Sequence, residues 1–349
     1  MNTGKSFTSP HIAIRPEWLS MRQEEAIWPD LPIIDSHHHL WDRPQSRYML
    51  HELVADMSSG HNIVATVFVQ SRSMYRQHGP DIFKPVGEVE FANGVAACFE
   101  SGLYDNRNGC AGIVAGADLT IGQQLHDVIG QMKQVAGARL KGIRNSTAWH
   151  DSPEVRSNPI QPPRGLLSDP GFLDGVRTLA EYDLCLDIWA YHTQLSEVFE
   201  LAKACPQLHI VLDHLGGPVG VGPYREARKE VFDEWKKSIQ QLAALPNITI
   251  KLGGFGLKVM GYHYFECEVP PSSEQLAQDW RPYTETLIAL FGTSRCMFES
   301  NFPVDKGMYS YSIMWNAFKR ICNGCSSDEI QDLFFNTAKR IYSLDLPQG

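Results

Sequence analysis

From residue 31 to the end of the chain, short runs of β-branched and aliphatic residues alternate with longer segments whose apolar positions recur every three to four residues. This alternation predicts βαβ units and a parallel sheet covered on both faces. The strand candidates are 31–34, 63–70, 112–117, 138–143, 184–190, 209–212, 248–252 and 296–299. Eight such strands predict an α/β protein with a (β/α)8 TIM barrel. Helical patterns fill the gaps, most clearly at 121–135, 171–181, 197–204, 227–244, 274–290 and 327–342. In the last of these, Ile330, Leu333, Phe334, Ala338 and Ile341 follow Ser326-Ser-Asp-Glu329, the pattern of a capping box.

No repeat, low-complexity segment or Pro/Gly/Ser linker divides the chain. The expectation is an N-terminal arm over 1–26 followed by a single barrel domain over 27–349. An insertion around 258–273, carrying Tyr262, His263, Tyr264 and Phe265, follows the seventh strand. Loops after barrel strands build active sites, so this insertion is expected to act as a lid.

Composition narrows the function. Of 349 residues, 43% are hydrophobic and 20% charged, which fits a folded core rather than disorder. Lys and Arg number 31 against 40 Asp and Glu; the resulting charge of -9, with no basic run, argues against nucleic acid and anionic membrane as partners. Residues 1–30 lack a signal-peptide pattern, and no apolar stretch approaches the roughly 18 residues of a membrane span. A cytoplasmic protein with a small-molecule substrate is expected, with homo-oligomerisation left open. The eight cysteines are scattered; Cys322-Asn-Gly-Cys325 has no second pair and reads as a turn.

The chain has 13 histidines, three of them consecutive. In Ile33-Ile-Asp-Ser-His-His-His-Leu-Trp-Asp42, His37 and His39 lie just past the first strand, and alternation points both to one side while His38 faces away. Two convergent imidazoles there can bind a metal or polarise a carbonyl oxygen. His214 directly follows the sixth strand and is expected in the same mouth; Asp213, on the opposite side by alternation, is expected to orient backbone. Trp41, Trp149, Trp189 and Tyr191 lie near strand ends, where rings can wall a pocket or pack the core.

Strand one followed by His-x-His resembles the amidohydrolase superfamily, amidohydrolase-2 type, and in particular its barrel lactonase branch of sugar lactonases and 2-pyrone-4,6-dicarboxylate lactonase. Later segments agree in order: Val67-Phe-Val-Gln70, Leu140-Lys-Gly-Ile-Arg144, Leu212-Asp-His-Leu-Gly-Gly-Pro218, Phe298-Glu-Ser-Asn-Phe-Pro-Val304 and Asn336-Thr-Ala-Lys-Arg-Ile-Tyr342. The likeness covers roughly 30–345. It implies that His37, His39 and His214 are catalytic, holding a lactone carbonyl oxygen directly or through a metal. Arg144 would meet a substrate carboxylate or polar oxygen, with Gln70, Arg72 and Tyr191 as further substrate-binding residues.

At strand eight the sequence departs from the resemblance. The family pattern Ser-Asp-x-Pro stands here as Ser300-Asn301-Phe302-Pro303, and a neutral amide cannot take a proton from water. Glu299, two residues earlier on the same face, is the candidate carboxylate that activates water, or else a buried Glu paired with Lys251; Asp305 is a second candidate, and Asn301 is assigned to substrate. A divalent metal, zinc in the first instance, would use His37, His39 and His214, with His192 as a further ligand, and a metal-free site stands beside this reading. The implied activity is hydrolysis of a small oxygen-rich or carboxylated lactone. The rivals are a metal-dependent non-oxidative decarboxylase of an aromatic or unsaturated acid and a non-catalytic binding barrel.

Overall fold

In a computed structural model, which describes residues 11–44 and 46–346, eight strands form one sheet in sequence order. They are β1 Ile33–His38, β2 Ile63–Val69, β3 Asn108–Gly116, β4 Leu140–Arg144, β5 Cys185–Ile188, β6 Ile210–Leu212, β7 Ile248–Leu252 and β8 Cys296–Phe298. Every neighbouring pair is parallel, down to Met297 beside Lys251 in the last. The sheet closes just beyond β8, where Asn301 donates its backbone N–H to His37 O and His39 donates to Phe302 O. The (β/α)8 barrel expected from the alternation is therefore present, and its strand starts lie within four residues of those read from the sequence, β3 differing most.

Apolar residues divide between the two sides of the strands. Ile34, Ala65, Val67, Val69, Val114, Val211 and Met297 share an inner cluster with Ala338, Tyr342, Leu344 and Leu346. The chain's last helical segment thus packs against the barrel interior, as its spacing of apolar residues implied. Ile33, Phe68, Ile113, Ile143, Ile210 and Phe298 belong to the larger cluster shared with the helices. Ser326 and Glu329 form the expected capping box, but the helix that follows contains a π-turn at Asp332–Asn336. Helices Leu50–Met57, Val86–Glu100 and Tyr311–Ile321 complete the outer layer. Among the described residues, no helix is long and apolar enough to cross a membrane.

The insertion is not a lid. Tyr262 and Tyr264 stack on each other and bond Asp279, so they lie down on helix Ser273–Phe291, while His263 is exposed and paired with Glu266. The described part of the arm runs along this insertion: Trp18 donates its indole N–H to Cys267 O at 2.9 Å, and Arg22 donates to Pro270 O at 3.2 Å. Cys322 and Cys325 are free thiols in a turn, joined by a backbone bond of 3.0 Å.

Candidate active site

The pairing of β1 with β2 shifts register between Asp35 and His38. Asp35 bonds Tyr311 of the outer helix layer, and His38 bonds Thr66 and packs on Phe68, so both face outward. The shift between them lets His37 turn into the barrel mouth, an irregularity that re-aims a side chain. His38 does face away from its neighbours, but into the buried layer beneath the helices and not to solvent.

Three further elements converge on His37. After β6 the chain enters a left-handed turn in which His214 has φ +52 and Leu215 φ +62. Non-glycine residues in that region are strained by about 1–3 kcal/mol each and persist where the surroundings fix them. Here the fixing is visible. His214 donates its backbone N–H and its Nδ1–H to Glu299 Oε1 at 3.1 and 2.7 Å, and its ring packs edge-on against Trp189. Gly253 and Gly254, after β7, are bare for this reason: a Cβ on Gly253 would lie 2.4 Å from Glu299 Cγ, and one on Gly254 2.6 Å from His214 Nδ1.

Glu299 Oε2 lies 2.9 Å from His37 Nδ1, without the alignment of a hydrogen bond. Lys251, from β7, places Nζ 3.2 Å from His37 Nδ1, donates to Asp187 at 2.7 Å and forms an ion pair with Asp213 at 3.1 Å. His37 Nε2 is 3.3 Å from His39 Nε2, and His39 Nδ1 donates to Val69 O at 2.7 Å. His39 Nδ1–H donates to Val69 O, which leaves His39 Nε2 as an acceptor, while His37 stands between Lys251 and Glu299 at Nδ1 and between His39 and Arg144 at Nε2. Burial, reinforced by Lys251, lowers His37 and keeps it neutral; burial also holds His39 well below the usual histidine range.

Glu299 thus reaches the histidines, as expected for a member of the site, but it is fully buried, with one oxygen bonded to His214 and the other against His37. Burial pushes its carboxyl up; His214 and then His37 outweigh this and hold it at about 2. The group left facing the pocket is the ring of His214, whose Nδ1 is committed to Glu299 and whose Nε2 carries the lone pair.

The pocket above is lined by His39, His214, Trp41, Trp189, Gln70 and Asn301, with Arg43, Arg72 and Arg144 as charged residues and, among the described residues, no Asp or Glu. Gln70 and Asn301 lie where the sequence placed them. Asn301 has φ +54, and its amide nitrogen donates to Asp305 at 2.8 Å. Asp305, the other carboxylate candidate, is fully occupied: its second oxygen accepts from Gly256 N and Tyr309 OH. Arg144 is partly spent on the protein, donating to Asp213 at 3.2 Å and to Gln70 O, with Nη1 also 3.2 Å from His37 Nε2. The Oε1 of Gln70 and Nη1 of Arg72 are buried without a protein partner.

Two expected residues stand elsewhere. Tyr191 does not line the pocket; its OH bonds Ser157, which does, so it can act only through that serine. His192 is not brought to the other histidines: Nδ1 accepts from Val219 N at 3.3 Å, and the ring sits edge-on to Tyr224 at 5.0 Å. Trp41 and Trp189 wall the pocket while Trp149 does not. Asp213, expected on the far side, belongs to the cluster because the left-handed turn at His214 breaks the alternation on which that expectation rested. Asp187, buried on Lys251, carried no signal in the sequence beyond its strand.

His37, His214 and Glu299 also form a group able to hold a divalent ion, their donor atoms lying within 4.8 Å of one another. Two imidazoles and a carboxylate suit such an ion.

The family model described as Amidohydrolase matches residues 34–344. Among curated relatives, the uncharacterized protein y4mH of Sinorhizobium fredii is 32% identical over 336 residues, covering 90% of this chain and 99% of that one. L-fucono-1,5-lactonase of Burkholderia multivorans is 24% identical, covering 90% and 97%. Among solved structures, an amidohydrolase from Burkholderia multivorans with bound zinc superposes with a TM-score of 0.68 at 23% identity, covering 90% of this chain and 99% of that one.

Proposed function

The chain belongs to the amidohydrolase family, and we propose that it is a lactonase acting on a small lactone that carries a carboxylate. The observation that carries this reading is the His214–Glu299 pair at the floor of a pocket whose charged lining residues are three arginines, in a chain of net charge -9. A cationic pocket on an acidic protein selects an anionic ligand, and arginine forks suit carboxylates. Lactonases among the relatives support the reaction class.

In the proposed mechanism His214 Nε2 takes a proton from water as the water oxygen attacks the lactone carbonyl carbon. Glu299 holds the ring in that tautomer and stabilises the imidazolium, the role of the carboxylate in a base dyad. The oxyanion forms beside Arg144, whose guanidinium is the donor that meets the developing charge. The ring C–O bond then breaks, His214 returns the proton to the departing alkoxide, and the new carboxylic acid ionises, so each turnover releases one proton. With a divalent ion bound, His37, His214 and Glu299 would instead hold it, and the ion would polarise the carbonyl and acidify water in place of the His214–Glu299 base. Gln70 Oε1 is an acceptor for a substrate hydroxyl.

A lactone panel followed by pH-stat tests this. The reading requires one proton released per ring opened, abolished by His214→Ala. Decarboxylation of an acid to bicarbonate releases no net proton, so turnover without acid production would contradict hydrolysis.

A further inference from the structure

The arm does more than tie the insertion down. Its first described residue, His11, lines the same pocket as His39, His214 and the three arginines. The imidazole lies nearly parallel to Trp41, with ring centres 5.6 Å apart and planes 11° apart. Trp41 is in turn nearly parallel to His39 at 5.8 Å and carries the Arg43 guanidinium 4.1 Å from its ring centre. One indole therefore connects the arm, a catalytic-site histidine and a pocket cation.

The seat of the arm is built into the barrel. Ile12 lies against Gly307, in the turn after β8, so closely that a Cβ on Gly307 would stand 2.6 Å from Ile12 O. Gly307 does not have a positive φ, so its lack of a side chain serves this approach and not a turn. Further along, Arg15 bonds Phe265 O, Trp18 bonds Cys267 O, Glu24 accepts from Ser273 N, and Ile27 N donates to Asn316. These bonds tie the described arm to the insertion and the outer helices from Arg15 to Ile27. Burial, with Arg43 nearby, lowers His11 to about 4, so the ring it presents near neutral pH is uncharged.

We propose that the N-terminal arm completes the substrate pocket and that His11 is a specificity-determining residue contacting the bound lactone. This rests on the lactonase reading for its substrate and on the pocket geometry for its residue. A neutral ring beside Trp41 adds flat lining for the uncharged part of the ligand, while the arginines take the carboxylate.

The test compares wild type, His11→Ala, Gly307→Ala and a chain lacking residues 1–14 in two readouts: KM and kcat on a carboxylated lactone, and citrate binding by calorimetry as a turnover-independent probe of the pocket. Each of the three changes is expected to raise KM and weaken citrate about tenfold, with kcat within about twofold, as for loss of a uniform binding contact. The nearest atoms an added Cβ at Gly307 would meet are all of Ile12, so Gly307→Ala separates the arm's seat from the imidazole. Wild-type KM and citrate affinity in the truncated chain would overturn the inference while leaving the lactonase reading intact. Citrate binding that depends on His11, with no lactone turned over by wild type, would sink the reaction and keep the arm in the pocket. Failure of the folded wild type to bind citrate would overturn both the anionic pocket and the arm's role in it.

Discussion

Glu299 Oε1 accepts the Nδ1–H of His214 at 2.7 Å, and the same oxygen accepts that residue's backbone N–H at 3.1 Å. One buried carboxylate oxygen thereby fixes both the ring orientation and the left-handed backbone of the residue that faces the pocket. The strained turn, the two bare glycines and the carboxylate are one arrangement.

Gly254 tests that arrangement from the outside. Its φ is +71 and an added Cβ would lie 2.6 Å from His214 Nδ1, so Gly254→Ala strains the backbone and displaces the ring together. The expected outcome is a kcat lowered at least about tenfold and a stability loss of about 1–3 kcal/mol, read from steady-state kinetics and thermal melting. A variant with wild-type kcat would show that His214 does not need its present position.

Arg72 has φ +62 and an Nη1 buried without a protein partner, an expensive arrangement unless a ligand uses it. Arg72→Gln is expected to raise KM for a carboxylated lactone about tenfold to a hundredfold, with kcat little changed, and to leave KM for its neutral methyl ester within about twofold. Equal losses on acid and ester would remove the carboxylate from the account.

Acid should destabilise the fold through its buried histidines. Burial lowers His38 to about 3 and His61, His192 and His209 each to about 4, against 6.5 in the unfolded chain. Below pH 6.5 the unfolded chain binds protons that the folded one refuses, so stability is full above that pH and drains as pH falls toward 4. Asp35, raised by burial to about 6, Glu88 and Asp305, raised to about 7, and Asp56, Asp187 and Glu197, also raised by burial, act in the opposite direction. They are fewer than the lowered histidines, to which His11, His37 and His39 also belong. Melting at pH 5 is therefore expected several degrees below melting at pH 7; an equal or higher value would mean the histidines are less buried than described.

The ion-binding group makes a prediction independent of turnover. At a zinc concentration about a hundredfold above Kd, binding to the folded state alone adds about 2.7 kcal/mol, which should raise the melting temperature by roughly 2–4 °C. His37→Ala and Glu299→Gln should each abolish most of that rise. The same rise in both variants would place the ion elsewhere.

The barrel was legible because period-two runs alternating with period-3.6 segments leave few other folds, and His37, His39 and His214 were legible because each lies at or just past the C-terminal end of a strand. What escaped was decided by departures from regular strands. Asp213 was misplaced because His214 is left-handed, a conformation no alternation rule anticipates. Tyr191 and His192 follow β5 in sequence, yet each spends its polar atoms on neighbours, Ser157 and Val219, that only the tertiary fold supplies. Lys251 was visible only as a candidate partner for Glu299, whereas it is shared among His37, Asp187 and Asp213. His11 lay in a segment with no pattern beyond that of an arm, and its place beside Trp41 depends on Gly307, far away in sequence.

The central claim is that His214 and Glu299 act as one base, and the most direct measurement is a double-mutant cycle in kcat with His214→Ala, Glu299→Gln and the pair. Each single change is expected to lower kcat about a hundredfold to ten-thousandfold, and the double change to lose little more than the worse single one, because the carboxylate has no role without the ring. Losses that multiply, or a Glu299→Gln enzyme as active as wild type, would contradict it.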